Sequence, residues 1–355
     1  MGAKTGISWT DATWNPIRGC SMAKGSEIGG CLNCYAARLN ARGLPGLLSP
    51  TTGKPLARIL ESGPRWTGEV ELIEKNLTLP LTWRKPKRIF VNSMSDLFHE
   101  KLSHEAIDQV VNVMAQCENH TFQVLTKRAE RMLAYMSHLR DKIGMLEFSL
   151  PNVWFGVSVE DQATADARIP LLLKTPAAKR FVSYEPGLGP IDFTHIEFRH
   201  ATWYNALEDH DGWGLLGAAH PKLDWVIVGG ESGPGARPFN VEWARSTVRQ
   251  CREAGVACFV KQMGARPFEC HNDEFGRLVE NKPLHLKDRK GGDPSEWPED
   301  LRVQEFPASI QTQLTRFWSG RGPHAEAVSR CSRYCTSGKG AKANTVCASN
   351  VKTPR

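Results

Sequence analysis

Short runs of β-branched and aromatic residues recur along the chain, and each run ends abruptly in polar residues. They are RIFVNSMSD from Arg88, TFQVLTKR from Thr121, VWFGVSVED from Val153, RFVSYEP from Arg180, WVIVGGESG from Trp225 and ACFVKQMG from Ala257. Runs of this length and composition predict strands, and their nearly continuous apolar cores predict burial on both faces of a sheet. A further short strand is predicted near Ile7–Trp9.

Segments with apolar residues at helical spacing lie between several of these strands. They are His104–Gln116, Ala129–Leu139, Ala163–Leu173 and Val241–Cys251, and Ser103 and Asp161 are predicted N-caps. A repeated strand–helix–strand order predicts parallel strands joined by right-handed crossovers. About seven such units favour an α/β fold with a partial or full (β/α) barrel over a doubly wound sheet.

The strand and helix pattern fades after Pro307, and Gly, Ser, Lys and Arg become frequent from Ser319. We therefore expect a barrel domain over residues 1–310 and a basic, flexible tail over residues 311–355. Within the barrel domain, Thr194–Lys222 interrupts the pattern with a stretch rich in His, Trp and Gly. This insertion is interpreted either as a lid or substrate loop, or as a surface insertion without function.

The net charge of +7 resides in the predicted tail. From Arg316 to Arg355, eight Lys or Arg residues face a single Glu, so the chain before Arg316 is neutral as a whole. A neutral body with a basic tail indicates phosphate binding less strongly than an evenly basic domain does. The start of the chain lacks an apolar signal segment, and no apolar run approaches the roughly 18 residues of a membrane span, so we expect a cytoplasmic protein.

Three cysteines, Cys20, Cys31 and Cys34, lie within fifteen residues in the stretch GCSMAKGSEIGGCLNCYAAR. The C-x-x-C pair precedes Tyr35 and a run of helix formers, which places it where a loop enters a helix and backbone N–H groups favour thiolate. Three thiolates predict either a zinc site or an iron–sulfur cluster with one iron that the protein does not hold. The stretch offers no histidine as a fourth zinc ligand, and three unrelated buried thiols are the remaining interpretation.

Polar side chains follow the predicted strands at their carboxyl ends, where the active sites of β/α barrels gather. They are Asn92, Ser93 and Asp96; Thr126, Lys127 and Arg128; Ser158 and Glu160; Glu185; Glu231 and Ser232; and Lys261 and Gln262. Each residue taken singly is explained equally well as a helix cap or an ion pair, whereas the whole ring predicts a polar cavity. Gly229 and Gly230 allow close approach of a ribose, carboxylate or phosphate, or form a plain turn.

Several of these stretches together resemble a phage and bacterial three-cysteine-motif family. The resemblance spans Ile7–Pro307 and rests on WTDATWNPIRGC, C-x-x-CYA, VNSMSDLFHE, VLTKR, WFGVSVED, YEP, VIVGGESG and DPSEWPEDLRVQEFP. A three-cysteine motif after the first strand of a β/α barrel also resembles the radical S-adenosylmethionine superfamily. Two departures are that the first cysteine gap here is ten residues, with Asn33 before the last cysteine, and that the GGE triplet follows a later strand.

The resemblance implies an enzyme that uses a [4Fe-4S] cluster and S-adenosyl-L-methionine to generate a 5′-deoxyadenosyl radical. It implies Cys20, Cys31 and Cys34 as cluster ligands and an external electron donor of the flavodoxin or ferredoxin type. A bacterial or phage-infected cell is the expected setting, and a nucleobase, nucleotide or DNA is the expected substrate. The alternative is a zinc- or cluster-binding protein that binds nucleic acid or a partner without catalysis; a metal-assisted hydrolase lacks its H-x-H or H-E-x-x-H motif.

Candidate binding residues follow from side-chain chemistry at the strand ends. For the cofactor they are Asn92, Ser93, Asp96, Ser158, Glu160, Glu185, Gly229, Gly230 and Glu231, and for a substrate carboxylate or phosphate they are Lys127, Arg128, Arg237 and Lys261. The other cysteines form two groups. Cys331, Cys335 and Cys347 form either a second metal site with Cys270 or His271, or an incidental group; Cys117, Cys251 and Cys258 are predicted core residues.

Overall fold

The computed structural model describes residues 5–24, 29–144, 149–199, 202–209, 221–272 and 278–308. The predicted tail at 311–355, with Cys331, Cys335 and Cys347, lies outside the described residues, as do residues 200–201 and 210–220 of the predicted insertion. No helix among the residues that the model describes is long and apolar enough to cross a membrane.

The described chain contains sixteen strands and six α-helices. The strands are β1 Ala12–Trp14, β2 Ile17–Arg18, β3 Ala57–Leu60, β4 Gly63–Trp66, β5 Glu71–Leu72, β6 Arg88–Val91, β7 Thr121–Thr126, β8 Val153–Val159, β9 Lys179–Tyr184, β10 Ile196–Arg199, β11 Thr202–Tyr204, β12 Trp225–Gly229, β13 Phe239–Asn240, β14 Ala257–Gln262, β15 Pro267–Asn272 and β16 Leu278–Pro283. The helices are α1 Tyr35–Asn40, α2 Glu74–Leu77, α3 His104–Gln116, α4 Ala129–Ile143, α5 Gln162–Lys174 and α6 Val241–Glu253, and short 3-10 turns cover Pro45–Leu47, Leu79–Thr82, Pro294–Glu296 and Glu299–Leu301.

Seven parallel strands form the central sheet in the order β1-β6-β7-β8-β9-β12-β14. Each strand lies beside the strand of this sheet that follows it along the chain, as in a (β/α) barrel, and in the described part of the chain β1 and β14 do not pair with each other. The fold is therefore an α/β partial barrel, and the prediction of such a barrel is confirmed.

The four long helices match their predicted positions closely. Helix α3 has the predicted bounds, α4 and α6 extend a few residues past their predicted ends, and α5 begins one residue early. Ser103 and Asp161 are N-caps whose side chains accept backbone N–H groups of Ala106 and Thr164. These caps satisfy donors that every helix start leaves free, which fixes where α3 and α5 begin.

The first strand lies five residues later than predicted, at Ala12–Trp14 instead of Ile7–Trp9. The carboxylate of Asp11 accepts the backbone N–H of Arg88 at 2.8 Å, so pairing with β6 starts at Ala12. Trp9 turns into the interior of the barrel, where its ring contacts Phe90 at a centroid distance of 4.7 Å. The apolar run at Ile7–Trp9 therefore contributes the core side chain of Trp9 and does not form a strand.

The inner face of the sheet is aromatic toward the amino ends of the strands and polar toward their carboxyl ends. The aromatic plug consists of Trp9, Phe90, Trp154, Phe181, Trp225 and Phe259. Gly156 on β8 leaves room for the Phe181 ring, since a Cβ there would lie 2.6 Å from two ring carbons. Farther along the same strands, Ser158, Glu185 and Lys261 replace the aromatic residues. This gradient leaves the carboxyl end as the polar mouth of the barrel.

Residues 303–306 pack across the gap between the two sheet edges. Gln304 forms an isolated antiparallel bridge with Phe259 on β14. The ring of Phe306 lies 5.3 Å from that of Phe259 and stacks 4.0 Å below the guanidinium of Arg88 on β6. This segment therefore covers the aromatic plug where the strands do not close on each other.

Two hairpins are added to the barrel. The β3–β4 hairpin packs against α1 beside the polar mouth. The β10–β11 hairpin forms the described part of the Thr194–Lys222 insertion, and β10 packs against α5 on the outside of the sheet. A lid role for this insertion stays a prediction, because residues 210–220 are not described.

Candidate functional site

The three motif cysteines lie together at the polar mouth. Cys20 follows β2, Cys31 precedes α1 by a short turn, and Cys34 is the N-cap of α1. All three are free and half-buried, and the thiols are near enough that a charge on Cys31 raises the pKa of both Cys20 and Cys34. We call the described residues 19–24 and 29–34 the cysteine loop.

Burial keeps two thiols of this loop, those of Cys20 and Cys34, protonated when they bind nothing. It raises the pKa of Cys20 to about 12, and the nearby Asp96 carboxylate raises it further while Arg128 lowers it. Burial also raises the pKa of Cys34, against the opposing effect of the Ala37 backbone N–H group. A metal or cluster that binds here therefore has to displace protons, which makes its binding dependent on pH.

The donor set that the cysteine loop offers consists of three thiols. No group of three or more His, Cys, Asp or Glu side chains in the described ranges is arranged to hold one ion. Cluster cysteines each bind a different iron, so they stand farther apart than the ligands of one ion do. The carboxylates around the loop, Asp96, Glu160 and Glu231, are each already bound to a guanidinium or an ammonium group. The residues present thus fit a cluster with three protein ligands.

Arg128 connects Cys20 to the end of β7. Its guanidinium lies 3.8 Å from the Cys20 sulfur and donates to Asp96 at 3.0 Å, Glu100 at 2.7 Å and the Ser21 hydroxyl at 2.9 Å. Asp96 also accepts the Thr126 hydroxyl at 2.8 Å. Arg128 and Asp96 are both buried, so this predicted substrate residue and this predicted cofactor residue bind each other and position the loop.

Glu160 is the most deeply buried charge at the mouth, with 0% exposure. It forms ion pairs with Lys127 and with Arg168, the latter at 2.8 Å, and the pairs lower its pKa in spite of burial. The Lys127 ammonium also donates to the Ser158 hydroxyl at 2.7 Å. Glu160 accepts the backbone N–H of Gly30 at 3.3 Å, so it attaches the cysteine loop to the barrel wall.

Gly30 fits this contact because it has no side chain. A Cβ at Gly30 would lie 2.8 Å from the Glu160 carboxylate and 3.1 Å from the Lys127 ammonium. The cysteine loop therefore lies directly over the Lys127–Glu160 pair.

Glu231 makes the second attachment of the cysteine loop. It binds the Arg237 guanidinium at 2.7 Å and accepts the side-chain N–H of Asn33 at 3.1 Å, and these donors lower its pKa against burial. Arg237 reaches on to the carbonyl of Gly29 at 3.1 Å. The GGE stretch thus faces the cysteine motif across the mouth.

Gly229 and Gly230 serve backbone packing in this structure. The N–H of Gly230 donates to the Gln262 carbonyl at 3.0 Å, and a Cβ at Gly230 would lie 2.4 Å from the Met263 carbonyl oxygen. Gly229 accepts the N–H of Gly187 at 2.9 Å. Their predicted role in holding a cofactor stays a prediction.

The remaining predicted residues line the same mouth. Lys261 donates to both carboxylate oxygens of Glu185, at 2.6 and 2.7 Å. The Ser93 carbonyl accepts the Tyr35 hydroxyl at 2.7 Å. Asn92 has a left-handed φ of 61° and accepts the Ile17 N–H at 3.2 Å, while its buried side-chain amide nitrogen has no partner among the described residues.

Sequence reasoning missed Asn33, Arg168 and the β3–β4 hairpin. Asn33 was noted only as a departure from a motif, and Arg168 was hidden within the helical pattern of α5. The hairpin contributes Trp66, whose side chain lowers the pKa of Cys34, and with Cys31 and Arg65 it lines a small cavity of about 50 Å³. The available signal for this hairpin in the sequence was Gly63 and Pro64, which follow the apolar run at 57–60.

A larger cavity lies at the opposite end of the sheet. Its volume is about 590 Å³, and it is lined among others by Asp224, Ala257 and Cys258 at the amino ends of β12 and β14. Because barrel chemistry gathers at carboxyl ends, and the cysteines are there, we place the candidate site at the polar mouth.

Comparison with known proteins bears on the family of the chain. Residues 4–289 match a family model described as protein of unknown function, DUF5131. No curated protein matches the sequence. A solved structure of a single-residue mutant of spore photoproduct lyase is 11% identical, with a TM-score of 0.34, over 88% of this chain and 76% of that chain.

Proposed function

Starting from the membership of this chain in the DUF5131 family, we propose that it is a radical S-adenosylmethionine enzyme that acts on a nucleobase or nucleotide, free or within DNA. The proposal is carried by one observation: three free cysteines lie on one short loop at the carboxyl-end mouth of a parallel partial barrel. Three protein ligands on a four-iron cluster leave one iron for a cofactor, whereas structural zinc takes four protein ligands.

Cys20, Cys31 and Cys34 would hold the [4Fe-4S] cluster. When bound, such a cluster supplies an electron, received from a flavodoxin- or ferredoxin-type donor, that cleaves S-adenosyl-L-methionine to methionine and a 5′-deoxyadenosyl radical, which removes a hydrogen atom from the substrate.

The mouth residues have a different task, which is to orient the ligands. Ser158, Glu160, Glu185 and Glu231 present hydroxyl and carboxylate acceptors, and each of these carboxylates is held in place by a cation of the same chain. Polar groups that are fixed before binding do not have to reorganise, which favours electrostatic stabilisation over solvation by mobile water. The aromatic plug beneath them excludes water from below.

The decisive experiment measures iron, sulfide and zinc in anaerobically purified protein, together with EPR of the reduced sample before and after S-adenosyl-L-methionine. We expect about four irons per chain, as a [4Fe-4S] cluster requires, and a spectrum that changes when the cofactor is added. One zinc per chain, or an iron signal indifferent to the cofactor, would contradict the proposal and favour the non-catalytic metal protein.

A pair of cysteine variants tests the ligand assignment. Cys31→Ala removes a proposed ligand and should abolish the iron, whereas Cys117→Ala removes a buried thiol near the end of α3 and should only cost about 1 to 2 kcal/mol of stability. Equal iron content in the wild type and in Cys31→Ala would refute the assignment.

A further inference from the structure

The segment between the cysteine motif and β5 carries an unbalanced positive charge. From Tyr35 to Gly68 five Lys or Arg residues face one Glu, a balance of +4, although the chain before Arg316 is neutral as a whole. This segment comprises α1, the β3–β4 hairpin and the turns that join them. We call its described surface the basic hairpin surface; its cations are Arg38, Arg42, Lys54, Arg58 and Arg65.

These cations differ from those of the polar mouth in one respect. Lys127, Arg128, Arg237 and Lys261 each form an ion pair with a carboxylate. Within the part of the chain that the model describes, no cation of the basic hairpin surface has a carboxylate within ion-pair distance. The polar contacts of Arg38 and Arg65 are to the carbonyl oxygens of Pro234, Leu32 and Pro64, which leave the positive charges uncompensated.

Arg58 and Arg65 are direct cross-strand partners in the β3–β4 hairpin. Residues directly opposite in an antiparallel pair project from the same face, and like charges in this position destabilise the hairpin. Arg58 is exposed, and Arg65 is half-buried beside the cysteine loop. Two arginines in cross-strand register, neither of which has a carboxylate partner among the described residues, are suited to phosphate oxygens, which guanidinium binds in a bidentate geometry.

The location of the arginine pair connects it to the candidate site. Arg65 donates to the carbonyl of Leu32 at 3.0 Å, and Leu32 lies between two of the motif cysteines. On the other side of the loop, the ring of Tyr35 is 53% exposed while its hydroxyl is fixed on the Ser93 carbonyl. The segment thus carries both a fixed, exposed aromatic ring and cations without a carboxylate partner, and proteins hold single-stranded nucleic acid with these two kinds of group, by stacking and by phosphate contacts.

We propose that the basic hairpin surface binds the phosphate backbone of a single-stranded nucleic acid and holds the strand beside the cysteine loop. This proposal narrows the substrate class of the proposed function from a nucleotide of any kind to a polynucleotide. It rests on the proposed function only for the reaction that the bound strand would undergo. A membrane surface fits less well, because α1 has only six residues and offers no amphipathic helix.

The test measures binding of a fluorescein-labelled oligothymidylate by fluorescence anisotropy over a series of salt concentrations, with full-length, anaerobically purified protein whose metal content is measured in the same samples. The predicted tail is the same in all variants, so the differences between variants report on the hairpin. The wild type is compared with Arg58→Gln/Arg65→Gln and with Arg84→Gln/Lys85→Gln, which removes two exposed cations from the opposite, amino end of the sheet.

We expect the hairpin variant to bind at least about fivefold more weakly than the wild type and the control variant to bind like the wild type. The slope of log affinity against log salt should fall by about 1.4, since each lost phosphate contact on a single strand accounts for about 0.7. Equal losses in both variants would mean diffuse charge attraction and would overturn the proposal, as would unchanged binding by the hairpin variant.

Arg58→Glu separates binding from folding. It converts a like-charge cross-strand pair into an opposite-charge pair, so the thermal midpoint should stay the same or rise while oligothymidylate affinity falls. A lower affinity accompanied by a lower midpoint would assign Arg58 a structural role. Tight binding to phosphatidylserine vesicles without oligothymidylate binding would assign the surface to membranes. The hairpin variants leave all three motif cysteines in place, and the metal content of the same samples tests the cluster assignment separately, so a failure of this proposal is distinct from a failure of that assignment.

Discussion

At the scale of single residues, the charges around the cysteines are bound to one another and not to solvent. Asp96 illustrates the consequence, because it accepts from Thr126, Arg128 and the backbone of Phe98 while almost fully buried. An intact buried ion pair of this kind adds little to the free energy of unfolding, whereas the removal of one partner lowers that free energy strongly. The site is thus sensitive to loss of one partner.

Asp96→Asn should lower the free energy of unfolding by roughly 3 to 5 kcal/mol, because it removes the buried charge partner of Arg128 and leaves only the exposed Glu100. Glu69→Gln, which removes the exposed partner of Lys101, should leave stability unchanged within error. Urea denaturation of the iron-free proteins measures both. A similar loss in the two variants would show that burial of Asp96 is not what makes its pair important.

Two buried histidines make stability depend on pH. Burial lowers the pKa of His99 and of His120 below the ordinary value of 6.5, and His120 is 1% exposed. The unfolded chain therefore takes up protons near pH 6.5 that the folded chain does not, so stability is complete above this pH and is lost as the pH falls below it.

We expect the thermal midpoint to drop between about pH 7.5 and about pH 5.5, and to drop less in His120→Leu, which removes one titrating group. His138→Leu, at an exposed helical position, should show the full wild-type drop. Scanning calorimetry at the two pH values measures the thermal midpoints. The same drop in His120→Leu and in the wild type would show that His120 does not contribute to the pH dependence of stability.

At the scale of elements, the barrel rests on close packing inside the sheet. Gly156→Ala would place a methyl group 2.6 Å from the Phe181 ring, which belongs to the aromatic plug and cannot turn aside freely. We expect a loss of about 1 to 3 kcal/mol, as for other overpacked cores. Gly46→Ala is the matched control, because it meets no atom within 4 Å. Chemical denaturation measures the free energy of unfolding of both variants, and equal values for the two would contradict the packing argument.

The sequence predicted the barrel and its long helices because their signals are local. Ser103 and Asp161 cap helices a few residues away, and the apolar runs of β8 and β12 are buried on both faces. The position of β1 was wrong because it depends on a long-range contact, that of Asp11 with Arg88 on β6. No periodicity in a three-residue strand reports such a contact.

At the scale of the whole molecule, the same distinction applies to the candidate site. The three cysteines and the polar strand ends could be predicted, since both follow from spacing and from the position of active sites in barrels. The polar partner of each carboxylate could not be predicted: Glu231 binds the Asn33 amide across 198 residues, and Glu185 binds the Lys261 ammonium across 76. Only the folded chain brings these partners together.

The distribution of the cysteines predicts a local response to cluster loss. Cys20 lies in the segment that Arg128 attaches to the barrel through Ser21, and Cys31 lies in the segment that Glu160 and Glu231 attach, so a cluster would join the two segments. We expect iron removal by chelation to raise hydrogen exchange in residues 19–38 and to leave the strands of the central sheet protected. Hydrogen exchange with mass spectrometry measures this; uniform deprotection of the sheet would mean that the cluster supports the entire fold.

The aromatic plug described for the barrel interior has a kinetic consequence. Because its rings fill the amino end, and residues 303–306 cover the gap beside it, the polar mouth is left as the route through the described barrel. Substrate and product would then enter and leave through the same opening beneath the cysteine loop. For the proposed enzyme, product would have to leave this opening before the next substrate could enter it, so slow product release would limit turnover.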